Sequence, residues 1–174
     1  MKKLSVILLL LSCSVVVFAQ TKKDQEIISG GQEAKVAFLK TDKGMDKFFS
    51  ASYGYVIFPN VGKGGLGVGG ASGNGAAYRQ GALVGMAKLT QLSIGFQAGG
   101  QSFREVIFFE NKSGFDRFTE SKIEFAAQVS AVAAAAGVSA DAKYVDGVAV
   151  FTMAKGGLMY QASVGGQKFK YDPF

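Results

Sequence analysis

The hydrophobic pattern changes period at Tyr53. Before it, Ile27, Ala34 and Phe38 recur at helical spacing with Ile28 and Leu39 beside them, which predicts a helix over residues 21–40. Gly30-Gly31 places two poor helix formers inside it. Met45, Phe48 and Phe49 form an apolar stripe over residues 45–52, read as a short helix that packs on a sheet. From Tyr53 the period is two. An apolar strand runs into a ladder of small residues, with Gly65, Gly67, Gly69, Ala71, Gly73, Gly75 and Ala77 at the odd positions. The even positions carry Leu66, Val68, Ser72, Asn74 and Tyr78. Alternate residues of a strand point to opposite faces, so one face of this strand is almost bare. Glycine in a strand interior marks close approach by another backbone or a ligand.

Further strands follow at residues 82–89, at Leu92, Ile94, Phe96 and Ala98, and at Glu105 to Phe109. Gly114 to Thr119 reads as a helical turn. Ile123 to Ala136 alternates like a strand and has the alanine content of a helix; the strand reading is taken. Val148 to Met153, the turn Ala154-Lys155-Gly156-Gly157 and Leu158 to Val164 form a hairpin. The expected fold is α+β and β-rich: an antiparallel, barrel-like sheet of about eight strands, closed or nearly closed, with N-terminal helices packed on it. The bare faces would admit a helix or the alanine-rich segment.

The first residues read as an export signal. Lys2 and Lys3 precede the apolar run Leu4 to Leu11, and Val17-Phe18-Ala19 offers a cleavage site that would leave a single domain over residues 20–174. Leu10-Leu11-Ser12-Cys13 also resembles a lipoprotein signal, in which Cys13 would be acylated. Either route predicts an exported chain, periplasmic or secreted. Cys13 is the single cysteine, so no disulfide framework is expected. The net charge is +6, and its distribution is uneven. No acid lies between Asp46 and Glu105, or from Gly147 to Tyr171, whereas lysines and arginines occur in both spans. That asymmetry suits an anionic partner.

Catalytic tools are scarce. The chain has no histidine, which excludes a Ser-His-Asp triad and histidine metal sites. Gly65-Leu66-Gly67-Val68-Gly69-Gly70 matches G-x-G-x-x-G, but strand rather than helix follows and no acid appears before Glu105. Glu105, Glu110, Asp116, Glu120 and Glu124 alternate with Arg104, Lys112, Arg117 and Lys122, which reads as a solvated, charge-paired face. Phe108, Phe109, Phe115 and Phe118 are expected in the core. No enzyme activity, cofactor, metal or nucleic-acid partner is expected.

Three segments together resemble the SYLF domain family, also called the Ysc84 actin-binding domain family. They are Ala51 to Gly65 (ASYGYVIFPNVGKGG), Ser93 to Phe103 (SIGFQAGGQSF), and Gly156-Gly157-Leu158-Met159 followed by Gly165 to Phe169. The likeness spans roughly residues 34–171. It implies a non-catalytic lipid-binding module that recognises anionic membranes, phosphoinositides in eukaryotic members, some of which also bind actin. No SH3 or FYVE-type domain accompanies it here, and an exported chain meets neither phosphoinositides nor actin in an envelope. What the resemblance implies for this chain is affinity for an anionic lipid or membrane surface. Lys63 lies inside the family-like motif and is the first candidate contact; Arg79, Lys88, Lys168 and Lys170 are added on charge. Two other readings stay open. One is an integral outer-membrane β-barrel, favoured by the strand number and the terminal Phe174. The other is a structural envelope protein that binds another protein.

Overall fold

The computed structural model describes residues 21–66, 68–94, 101–121, 131–155 and 166–174. The signal segment with Cys13, the alternation at Phe96 and Ala98, most of 123–136 and the return strand of the last hairpin lie outside the described residues.

Thr21 opens helix α1 (Lys22–Thr41) with a capping box. Its hydroxyl accepts from the Asp24 N–H at 3.2 Å, and the Asp24 carboxylate accepts from the Thr21 N–H at 3.0 Å. The helix buries Gly31, Ala34 and Phe38, one stripe at helical spacing. Gly30 and Gly31 are contact points: a Cβ added to either would lie 3.1 Å from Pro59 or Ile57 respectively. Helix α2 (Met45–Ala51) buries Met45, Phe48 and Phe49.

Strands β1 (Gly54–Leu66), β2 (Val68–Arg79), β3 (Ala82–Ile94) and β4 (Gln101–Phe109) follow as antiparallel neighbours or near neighbours. Helix α3 (Lys112–Thr119), the two-residue strand β5 (Val132–Ala133), β6 (Val148–Ala154) and β7 (Gln167–Pro173) complete the described elements. The strand order is β5-β6-β4-β1-β2-β3-β7, with β5 and β6 parallel and every other pair antiparallel. The architecture is therefore α+β with a seven-stranded sheet.

Strand alternation separates two cores. Val56, Phe58, Val61, Phe103, Ile107, Phe109 and Phe169 face inward with α3. Tyr55, Ile57, Tyr78, Val106, Phe108 and Phe151 face outward under α1 and α2. The sheet curls around the first core, so that Phe169 on the last strand comes within 6.1 Å of Phe58, ring to ring.

One expectation is corrected: the sheet is open rather than closed. The described residues hold seven strands, and the expected return strand at 158–164 lies outside them. Residues 82–89 and the alternation beginning at Leu92 are one continuous strand, β3. Helix α3 packs inside the curl of the sheet: Phe118 packs on Phe109 of β4 at 5.2 Å and on Phe169 of β7 at 5.8 Å. Ring packing joins these strands in place of a hydrogen-bond ladder. At Gly73 and Gly75 the glycine ladder does mark a close backbone approach, from the neighbouring strand β1. A bulge in β1 sets Phe58 and Pro59 opposite Gly75 alone. A Cβ on Gly75 would lie 2.6 Å from the Ile57 carbonyl oxygen.

Candidate functional site

Alternation sorts the five basic candidates. Ala87 and Leu89 of β3 are buried in the inner core, so Lys88 between them faces out. Gln167 and Phe169 of β7 are buried, so Lys168 and Lys170 face out on the same side. The β3–β7 register sets Lys88 directly opposite Lys170, and Thr90 opposite Lys168. Side chains in that relation have Cβ atoms about 5 Å apart, and like charges there are unfavourable by roughly 0.2–1 kcal/mol. A buried phenylalanine contributes about 1.5–3 kcal/mol, so Phe169, between the two lysines on the other face, outweighs the repulsion. Asp172, next on this face of β7, pairs with Lys170 at 2.9 Å. Ser72, Asn74 and Thr90 continue the exposed polar surface. Leu92 ends it, 81% exposed. Helix α1 packs on β1 and β2.

Lys63 and Arg79 are not part of it. The β1 bulge shifts strand parity by one, so Lys63 follows Val61 onto the inner face and is half-buried. Arg79 closes β2 at the Gln80-Gly81 turn, the opposite end of that strand from the β1–β2 hairpin, and is exposed beside a cleft lined by Val84, Phe115 and Phe174. Three of the five candidates thus share one surface, and two do not.

A buried polar group went unread in the sequence. Glu105 is fully buried on the inner face, not on a solvated charge-paired one. Of the acids grouped with it, Asp116 does keep an exposed partner, Lys112, four residues earlier on α3. Gln167 Nε2 donates to Glu105 Oε2 at 3.0 Å, which ties β7 to β4 across three intervening strands. Thr152 is the register partner of Glu105 on β6 and is also fully buried. Glu105 Oε1, Gln167 Oε1 and Thr152 Oγ1 have no hydrogen-bond partner among the described residues. Burial pushes the Glu105 carboxyl up to about 8, outweighing the Gln167 hydrogen bond, which pulls the other way. Glu105 is therefore mostly a neutral acid at pH 7. Among the described residues no group of three His, Cys, Asp or Glu side chains is placed to hold a metal ion.

The Ysc84 family model, described as Las17-binding protein actin regulator, matches residues 90–173. Over that stretch, just under half of the chain, the sequence is similar to the Ysc84 family. The match takes in Thr90, Leu92, Lys168 and Lys170 of the outward surface and the Glu105–Gln167 tie. Lys63, Arg79 and Lys88 precede it. The chain is also similar to Beta cell expansion factor A of Aeromonas veronii, 34% identical over 74 residues. That alignment covers 42% of this chain and 28% of the Aeromonas protein, so the chain matches a minor part of that longer relative.

Proposed function

We propose that this chain is a non-catalytic module that binds anionic lipid surfaces through the outward face of β3 and β7. The observation that carries the reading is the placement of Lys88 opposite Lys170, with Lys168 on the same face. A sheet gains nothing by setting two lysines opposite each other, whereas an anionic surface turns that repulsion into attraction. Each lysine near such a surface is worth about 1 kcal/mol. Leu92 supplies an apolar contact at the end of the same face. The family likeness to lipid-binding modules supports the reading. The export-type segment before residue 20 would place the domain outside the cytoplasm.

The test is co-sedimentation of the purified protein with phosphatidylcholine vesicles, with and without phosphatidylglycerol, across a salt series. Binding confined to the anionic vesicles and fading with salt is expected. Lys88→Glu with Lys170→Glu should weaken it roughly 30-fold or more, at about 1 kcal/mol per charge removed. Lys63→Glu and Arg79→Glu should change it little, since neither lies on this surface. Binding that ignores the double charge reversal would refute the proposal. Absence of vesicle binding, together with one stoichiometric protein partner, would instead favour a protein-binding role.

A further inference from the structure

A cleft of about 530 Å³ opens between α2 and the segment 139–144. Its size falls within the range of small-molecule sites. Phe48, Ala51, Ala142 and Tyr144 provide apolar lining, and three charged side chains, Lys47, Lys143 and Glu110, share it. The walls are fixed. Asp42, in the turn between α1 and α2, accepts from the Gly44 N–H at 2.9 Å and from the Ser139 N–H at 2.8 Å, which joins the two walls. Phe48 is held from below by Phe108 at 5.4 Å and Phe151 at 5.0 Å, and it meets Tyr144 at 5.5 Å.

We infer that this cleft is a binding site for a small organic anion with an apolar body, an alkyl carboxylate being the simplest example. The apolar lining buries the tail, and two lysines against one glutamate leave an excess of positive charge for the carboxylate. Lys47 and Lys143 have no ion-pair partner within 4 Å among the described residues, so neither is already neutralised by a neighbour. This site shares no residue with the β3–β7 surface, and each stands without the other.

Calorimetric titration of the full chain with octanoate, octanol and octyltrimethylammonium tests it. Octanoate should bind at one per chain and at least tenfold more tightly than either comparator. Lys47→Glu with Lys143→Glu should lose tenfold or more, and Glu110→Gln should gain a few-fold by removing the one repulsive charge. Filling the cleft with Ala142→Trp should abolish binding; an unchanged melting temperature in each variant shows that the fold is intact. Binding of anionic vesicles should stay within twofold in the double lysine variant. No octanoate binding, equal binding of octanol, weaker binding in Glu110→Gln, or joint loss of octanoate and vesicle binding would each overturn the inference.

Discussion

Among the described residues, Glu105 holds a carboxyl group out of water with one hydrogen bond, from Gln167, and a free oxygen beside it. Its folded pKa of about 8 stands above the ordinary value of 4.5. The native state therefore binds more protons than the unfolded chain between those values, and stability falls as pH rises through that window. The contribution is complete below about pH 4.5 and is lost as pH climbs through about 8. Its full size is on the order of a few kcal/mol. Glu105→Gln should flatten the profile: urea midpoints at pH 5 and pH 9 should differ clearly in the parent protein and hardly in the variant. A parent profile with no fall between pH 5 and pH 9 would show that the carboxyl is solvated. The sequence held the clue. Phe103, Ile107 and Phe109 alternate around position 105, so the buried face was legible, but the charges at 104, 110, 112 and 117 drew the residue into a solvated pattern. What no local pattern could show is Gln167, 62 residues away, which reaches Glu105 only because the sheet curls.

At the scale of elements, both helices, the helical turn at 114–119 and the change to period two at Tyr53 were legible, because each rests on local periodicity. The glycine ladder was legible as a close approach, but its partner was not. The β1 bulge at Phe58-Pro59 depends on pairing, and periodicity within one strand carries no information about its neighbour's register. The bulge also turned Lys63 inward and removed the first candidate contact from the surface. The ladder's positions should differ in tolerance. Gly75→Ala brings a Cβ to 2.6 Å from a carbonyl oxygen and 2.7 Å from the Phe58 ring, so the strands must part. A loss of about 1–3 kcal/mol is expected, as for an overpacked core. Gly62→Ala meets nothing within 4 Å and should be neutral or stabilising by up to about 1 kcal/mol. Equal urea midpoints for the two variants would mean that the bulge does not press on β2.

The whole molecule presents different chemistry on its two sides. Helices α1 and α2 cover the outer core of β1, β2, β4 and β6, on which Leu83 and Met86 of β3 also pack, whereas the outward face at Lys88, Thr90 and Leu92 of β3 and at Lys168 and Lys170 of β7 is bare, continued by Ser72 and Asn74 of β2. No helix among the described residues is long and apolar enough to cross a membrane. If the bare face docks on an anionic bilayer, the molecule has one orientation there, with Leu92 toward the lipid and Val36, exposed on α1, away from it. Arg79, at the far end of β2, stays in water. A polarity-sensitive dye can read that orientation. Cys13 is the only native cysteine, so Cys13→Ala gives a clean background for single cysteines at positions 92, 36 and 79. On adding anionic vesicles, the dye at 92 should shift to the blue and resist aqueous quenchers, and the dyes at 36 and 79 should keep their aqueous spectra. High salt should reverse the shift at 92, because three lysines and one leucine hold the face mainly by charge. A shift at 36 with none at 92 would mean that α1, not the β3–β7 face, meets the membrane, and the proposed surface would have to be given up.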